Sequence, residues 1–158
     1  MSPRSSRFQL ATFTYFHVCS KGNNGQELFY DDKDRSHYLE LIEKYRKRYN
    51  LSCFAYCLMT NHTHLLWLSS SIRALSKTMH GINLAYVMYF NRRHDKNGHL
   101  FQDRFSSWVI RDQEHLNYTK DYIENNPVKA GLVKTKEDYF WSSARRDGSF
   151  VTLETIMN

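Results

Sequence analysis

The stretch from residue 51 to residue 68 constrains the fold of this chain most. Residues 51–59 (LSCFAYCLM) are apolar and aromatic almost throughout, which predicts a buried strand. The polar pair Thr60 and Asn61 interrupts the run, and residues 62–68 (HTHLLWL) resume it. Two short apolar runs separated by a two-residue turn predict a β-hairpin.

The segments on either side of this hairpin follow an order that is typical of one fold. Residues 10–18 predict a first strand, which ends at the turn sequence KGNNG. The other predicted elements are helices at 31–49 and 71–91, a strand at 106–110, and a third helix that Asp112 caps and that stops near Asn126, before Pro127. Strand, helix, strand, strand, helix, strand is a split βαβ pattern. It predicts an α+β, ferredoxin-like antiparallel sheet with helices on one face, to which the third helix is an addition.

The composition narrows the class of protein. The 158 residues are enough for one domain, and their net charge of +6 favours an anionic partner, with nucleic acid as the default. The 15% of aromatic residues fits either an aromatic core or a surface on which bases stack. We find no membrane-spanning run and no signal peptide, and we expect a cytoplasmic protein. The three cysteines predicted to be reduced core residues are Cys19, Cys53 and Cys57.

Two histidines follow the turn of the predicted hairpin. His62 and His64 are one residue apart in a strand, so they lie on the same face of the sheet. Two imidazoles that converge on one point can hold a divalent metal ion. A His-x-His pair on its own is more often a hydrogen-bonded pair, so the pattern needs a third ligand from elsewhere in the chain.

The third helix carries a row of polar side chains at four-residue spacing. Tyr118, Tyr122 and Asn126 form this row, one turn apart from each other. A carboxamide oxygen is a hard ligand that suits Mg²⁺ or Mn²⁺, and a tyrosine one turn away is then placed to attack a phosphodiester. The plainer interpretation is a core or interface tyrosine and a helix-terminating asparagine. The opposite, docking side of the helix is predicted to consist of Leu116, Thr119, Lys120 and Ile123.

Several motifs, taken together, resemble those of the REP-associated tyrosine transposases, a branch of the single-tyrosine HUH transposases. The matching segments are FHV with GN at residues 16–23, YCLMTNHTHLL at 56–66, YFNRR at 89–93, GHLFQDRF at 98–105, YIENNPVKAGLV at 122–133 and YFWSS at 139–143. They extend over residues 8–144. Three positions depart from the family pattern: Thr60 and Phe140 stand where proline is common, and Thr63 stands where a bulky apolar residue is usual.

The resemblance implies a role for each matching residue. His62, His64 and Asn126 correspond to metal ligands, Tyr122 corresponds to the nucleophile, and Tyr118 has no counterpart. The implied enzyme is a Mg²⁺- or Mn²⁺-dependent transesterase that cuts and rejoins single-stranded, hairpin-forming DNA through a 5′-phosphotyrosine. The cations expected to hold the DNA backbone are Lys21, Arg92, Arg93, Lys96 and Arg104.

Two other functions stay open at this level. One is a metal-dependent nuclease in which water attacks, and the other is a domesticated hairpin-binding protein without chemistry. The sequence identifies no general base for Tyr122 and leaves open whether the protein is a monomer or a homodimer.

Overall fold

A four-stranded antiparallel sheet forms the centre of the computed structural model, which describes residues 13–145. The strands are β1 (Thr14–Lys21), β2 (Ser52–Leu58), β3 (His62–Ser69) and β4 (Ser106–Val109). The helices are α1 (Asp32–Tyr49), α2 (Ile72–His94), α3 (Gln113–Glu124) and the one-turn α4 (Asn126–Lys129), and single 3₁₀ turns cover Asn23–Gly25 and Lys136–Asp138.

The strand order in the sheet is β2-β3-β1-β4, with every neighbouring pair antiparallel. This is the order that a split βαβ unit produces, so the predicted ferredoxin-like α+β fold is confirmed. The first strand lies later than predicted, from Thr14 to Lys21, and residues 10–12 of the prediction fall outside the described part of the chain. Helix α2 continues three residues beyond the predicted end, because Asp95 (φ 52°) supplies the left-handed residue that ends it.

Each long helix begins after a residue whose side chain caps its N-terminus. Asp31 caps α1 and Ser71 caps α2, each by accepting a backbone N–H three residues later. Asp112 caps α3 as predicted, accepting the amide of His115 at 2.7 Å. These caps fix the start of each helix relative to the end of the preceding strand.

The alternation of side chains along the strands divides the core into two layers. Phe16, Val18, Leu65 and Trp67 point to the face covered by α1 and α2. Leu66 points to the other face, where it packs in a smaller cluster with Ile123 of α3. His62 and His64 share the parity of Leu66 and therefore lie on the α3 face.

A β-bulge changes which cysteines share a face. The pairing of β2 with β3 shifts register between Cys53 and Ala55, so Cys53 packs in the α1/α2 layer and Cys57 in the α3 layer. In a regular strand the four-residue spacing would put both cysteines on one face, but the bulge adds a residue between them and separates them. All three cysteines are buried free thiols, and burial raises the pKa of Cys53 and of Cys57 to about 12.

The YFWSS segment at residues 139–143 covers the outer edge of β2. Leu58 N–H donates to Trp141 O (2.8 Å), and Ser143 N–H donates to Tyr56 O (3.0 Å). Strand β4 forms the opposite edge, where all four of its residues are exposed. None of the helices between residues 13 and 145 is long and apolar enough to cross a bilayer.

Candidate metal and tyrosine site

Helix α3 lies across the face of the sheet that carries the two histidines. Leu116, Thr119 and Ile123 face the sheet, and this orients the row of Tyr118, Tyr122 and Asn126 toward β3. Lys120 was predicted to face the sheet as well, which is wrong. Lys120 is half-exposed and lies 4.0 Å from the Glu124 carboxylate, because the helical turn carries it past the contact surface.

The side-chain amide of Asn126 lies between the two histidines. Its Oδ1 is 3.3 Å from His62 Nε2, and its Nδ2 is 3.4 Å from His64 Nε2. This placement depends on the helix break, since α3 ends at Glu124 and Asn126 begins the separate turn α4, with Pro127 in its first turn. The predicted convergence of these three side chains is thus present within one chain.

The outer nitrogens of both imidazoles are already engaged. His62 Nδ1 lies 2.7 Å from Asn61 Oδ1, which accepts only, so this Nδ1 carries the hydrogen. His64 Nδ1 lies 3.0 Å from His17 Nε2. Because Asn126 Nδ2 donates to His64 Nε2, the hydrogen of His64 is on Nδ1, which donates to His17.

These tautomers leave one contact that a cation would satisfy. The lone pair of His62 Nε2 faces the Asn126 oxygen at 3.3 Å, so two acceptors face each other. Two ligands about 2.1 Å from one ion, at angles of about 90–109°, lie about 3.0–3.4 Å apart. The observed 3.3 Å between His62 Nε2 and Asn126 Oδ1 agrees with that geometry. Within residues 13–145 no three His, Cys, Asp or Glu side chains form a metal cluster, so a third ligand for an ion at the two histidines would have to be of another type, such as the Asn126 amide.

Burial keeps the imidazoles of the site neutral. Desolvation, with a smaller effect of nearby positive charge, lowers the pKa of His64 to about 3 and that of His17 to about 4. Desolvation also lowers the pKa of His62. At neutral pH the inward-facing Nε2 atoms are therefore available as metal ligands.

Tyr122 lies beside this cluster. The centroid of its ring is 5.7 Å from that of His64 and 6.0 Å from that of His17. Its side chain is 39% exposed, and its hydroxyl makes no hydrogen bond to any residue in the range 13–145. Tyr118, one turn earlier, is 70% exposed and lines the same cavity.

Comparison with known proteins identifies the chain. Residues 12–126, almost three-quarters of its length, match the family described as "Transposase IS200 like". The chain belongs to this transposase family. The predicted resemblance is therefore confirmed, and so is the prediction that the chain is an enzyme of the transposase class.

Individual relatives agree with this assignment. A Haemophilus influenzae protein assigned as a REP-associated tyrosine transposase is 28% identical, covering 73% of this chain and 76% of that protein. A solved REP-associated tyrosine transposase bound to a REP hairpin has a TM-score of 0.69 at 22% identity, covering 82% of this chain and 75% of that one. A Deinococcus radiodurans protein assigned as a transposase has a TM-score of 0.50 at 14% identity, covering 71% and 88%. The two structures show that the fold is shared.

An open cavity of about 1090 Å³ surrounds the histidines and Tyr122 of the transposase. The charged side chains that line it are Lys21, Arg111 and Lys129, and no carboxylate of the described residues joins them. Lys129 Nζ lies 5.9 Å from the centre of the Tyr122 ring. A cavity whose charged lining residues are all positive is suited to an anionic ligand.

Sequence reasoning missed several residues of this cavity. His17 had a partial signal, since it is a polar residue in a strand between the buried Phe16 and Val18. Its contact with His64 depends on the pairing of β1 with β3, which no local pattern predicts. Arg111 and Lys129 carry no distinguishing signal, because each is one of many cations in a basic chain.

The cations predicted to hold DNA are not gathered in one place. Lys21 lines the cavity. Arg104 lies in a second groove, between α2 and residues 98–107, and Arg92 and Lys96 are exposed at the end of α2.

Arg93 is engaged within the protein. Its guanidinium pairs with both oxygens of Asp31 (2.6 and 2.7 Å) and with the fully buried Asp34 (2.6 Å). These ion pairs connect the start of α1 to the end of α2. Among the five predicted DNA contacts, Arg93 has the least support.

Proposed function

We propose that this transposase is a metal-dependent transesterase that cleaves and rejoins single-stranded DNA at hairpin-forming sequences through a 5′-phosphotyrosine. One observation carries the proposal: the Asn126 amide lies between His62 and His64, with its oxygen 3.3 Å from His62 Nε2, and Tyr122 lies beside them. Nothing in that cluster requires a second chain.

The residues suited to hold the ion are His62, His64 and Asn126, and their mixed nitrogen and oxygen donors are compatible with Mg²⁺ or Mn²⁺. Such an ion, when bound, supplies stabilisation of the negative charge that develops on the phosphate oxygens. Asn61 and His17 hold the two imidazoles in the tautomers that this role needs.

Tyr122 performs the covalent step. Its phenolic oxygen attacks the phosphorus, a phosphorus–oxygen bond to Tyr122 forms, and the bond to the 3′-oxygen breaks. The phenol loses its proton, and the departing 3′-oxygen gains one. One phosphodiester replaces another, so attack by a 3′-hydroxyl reverses the step and rejoins the strand without an external energy source.

The substrate class is supported by charge and by a relative. The cavity carries three cations without a carboxylate, which suits a phosphodiester backbone. The solved relative is bound to a REP hairpin, and we extend hairpin DNA to this chain. A DNA substrate supports the expectation of a cytoplasmic, nucleoid-associated enzyme.

The test is a denaturing gel of the protein with end-labelled hairpin DNA and either Mg²⁺ or Mn²⁺. Wild-type protein is expected to form a covalent adduct that Tyr122→Phe loses and Tyr118→Phe retains. Cleavage that persists in Tyr122→Phe would show that water is the nucleophile. Tight hairpin binding without any cleavage across metal titrations would show a binding protein without chemistry.

A further inference from the structure

Strand β4 presents a tryptophan to the active-site cavity. Trp108 lies directly opposite His17 in the pairing of β4 with β1, so both side chains are on the α3 face of the sheet. The indole and imidazole centroids are 5.2 Å apart, with an angle of 37° between the planes. His17 in turn contacts His64, so one side chain separates the indole from this proposed metal ligand.

Half of this large apolar side chain is in solvent. Trp108 is 51% exposed, whereas Trp67 is fully buried in the core. The cavity that Trp108 lines also carries Lys21, Arg111 and Lys129. An exposed indole in a cavity with cations is suited to a ligand that has both an apolar face and negative charge.

Single-stranded DNA has this combination of properties. Its bases offer apolar faces that stack on an indole, and its phosphates offer negative charge to neighbouring cations. The base next to the phosphate that Tyr122 attacks belongs to the adjoining nucleotide, so it lies close to the cluster. Trp108 is connected to that cluster through His17, whose ring centroid is 5.2 Å from that of Trp108 and 6.0 Å from that of Tyr122.

We propose that Trp108 is a stacking platform for a nucleobase that flanks the cleaved phosphate of single-stranded DNA. The proposal rests on the proposed function and adds a subsite to it. Stacking would hold the strand in register, so that one phosphate is presented to Tyr122. Because every base has a π-face, this platform contributes affinity and register rather than sequence preference.

Intrinsic fluorescence provides a direct measurement of stacking. Trp67 is buried, and the Trp141 indole donates to Asp32 outside the cavity, which leaves Trp108 as the solvent-exposed reporter near the site among the described residues. Titration of wild-type protein with a short single-stranded oligonucleotide is expected to quench the emission. Trp108→Leu is expected to remove most of this quenching and to weaken binding by about 5- to 150-fold.

The choice of leucine keeps an apolar cover on His17 while removing the aromatic face, and Trp108→Phe serves as the second variant. Phenylalanine is expected to retain most of the affinity. Phe140→Ala is the matched control, because Phe140 is also 51% exposed but lies outside the cavity. It should bind DNA as wild type does.

Two further readouts separate stacking from charge and from misfolding. The dependence of affinity on salt should keep its slope in Trp108→Leu, whereas Lys129→Gln should reduce that slope by about one phosphate contact. A series of oligonucleotides places one abasic site at successive positions along the strand. At the position whose base stacks on Trp108, wild type and Trp108→Leu should bind the abasic strand with equal affinity.

The outcomes distinguish this inference from the proposed function. Wild-type protein that forms the Tyr122 adduct, together with a folded Trp108→Leu that binds at wild-type affinity, would overturn the platform and leave the function intact. Absence of any wild-type adduct would instead refute the proposed function. If Trp108→Leu does not fold, the abasic series with wild-type protein decides instead. The platform is refuted if no abasic position lowers the affinity of the wild-type protein.

Discussion

Replacement of His17 by phenylalanine tests the outer support of the metal site. Phenylalanine keeps a ring against Trp108 but cannot accept the hydrogen of His64 Nδ1, which now has an acceptor 3.0 Å away. Without that acceptor the hydrogen is free to move to Nε2, where it would block the lone pair that faces Asn126. The substitution is therefore expected to disable His64 as the proposed metal ligand while leaving that residue itself unchanged.

The magnitude can be worked in two ways. Loss of an outer partner of a metal-bound histidine typically weakens metal affinity about 10- to 100-fold, or about 1.4–2.7 kcal/mol. An N–H left without an acceptor in a largely buried position costs about 1–3 kcal/mol. The two values agree, so we expect His17→Phe to raise the Mn²⁺ dissociation constant by about 10- to 100-fold.

The assay is calorimetric titration of the purified protein with Mn²⁺, which needs no DNA and no turnover. His80→Phe is the matched control, because His80 lies on α2 outside this cavity and should leave Mn²⁺ affinity unchanged. A folded His17→Phe protein that binds Mn²⁺ with the wild-type dissociation constant would refute the role assigned to His17.

Two predictions concern stability. Gly81→Ala would place a methyl group 2.4 Å from the Tyr45 ring between α1 and α2. Thermal denaturation should show a loss of about 1–3 kcal/mol in the free energy of unfolding. An unchanged melting temperature would show that the ring moves aside freely. Arg93→Ala removes a partner of buried Asp34, and chemical denaturation at pH 7 should show a lower free energy of unfolding. The Arg93 hydrogen bond lowers the pKa of Asp31, and hydrogen bonds from Tyr30 N–H, Arg93 and His94 together outweigh burial and lower that of Asp34. A carboxyl group whose pKa is lowered by folding contributes stability above its unfolded pKa of about 4, and this contribution is lost as the pH falls below that value. The difference in unfolding free energy between wild type and Arg93→Ala should therefore shrink at low pH. A difference that stays constant with pH would contradict the ion pair.

Local periodicity was enough to predict the elements of the fold. The two-residue alternation around His62 and His64 and the four-residue row through Tyr122 and Asn126 are properties of a strand and a helix, readable without tertiary information. Both patterns agree with the structure, which brings His62, His64 and Asn126 into contact.

Features that depend on pairing between distant segments were not predictable in this way. His17 reaches His64 because β1 pairs with β3, 47 residues away in the chain. Arg93 belongs to a basic cluster that is typical of a DNA contact, yet its charge is met by Asp31, which is distant in sequence. In both cases the identity of the residue was visible and its partner was not.

The departure at Thr60 shows how tertiary contacts replace a local constraint. Proline is common at that position in the family and would stiffen the hairpin turn, yet here the turn is held from outside. Leu28 N–H donates to Thr60 O, and Gly22 N–H donates to Asn61 O, both at 2.8 Å. A Cβ at Gly22 would lie 2.1 Å from Gln26 O, so glycine is needed for the loop to approach this closely. Because the Asn61 side chain in turn contacts His62 Nδ1, the loop after β1 supports the tautomer of His62, a proposed metal ligand, through the backbone of the turn.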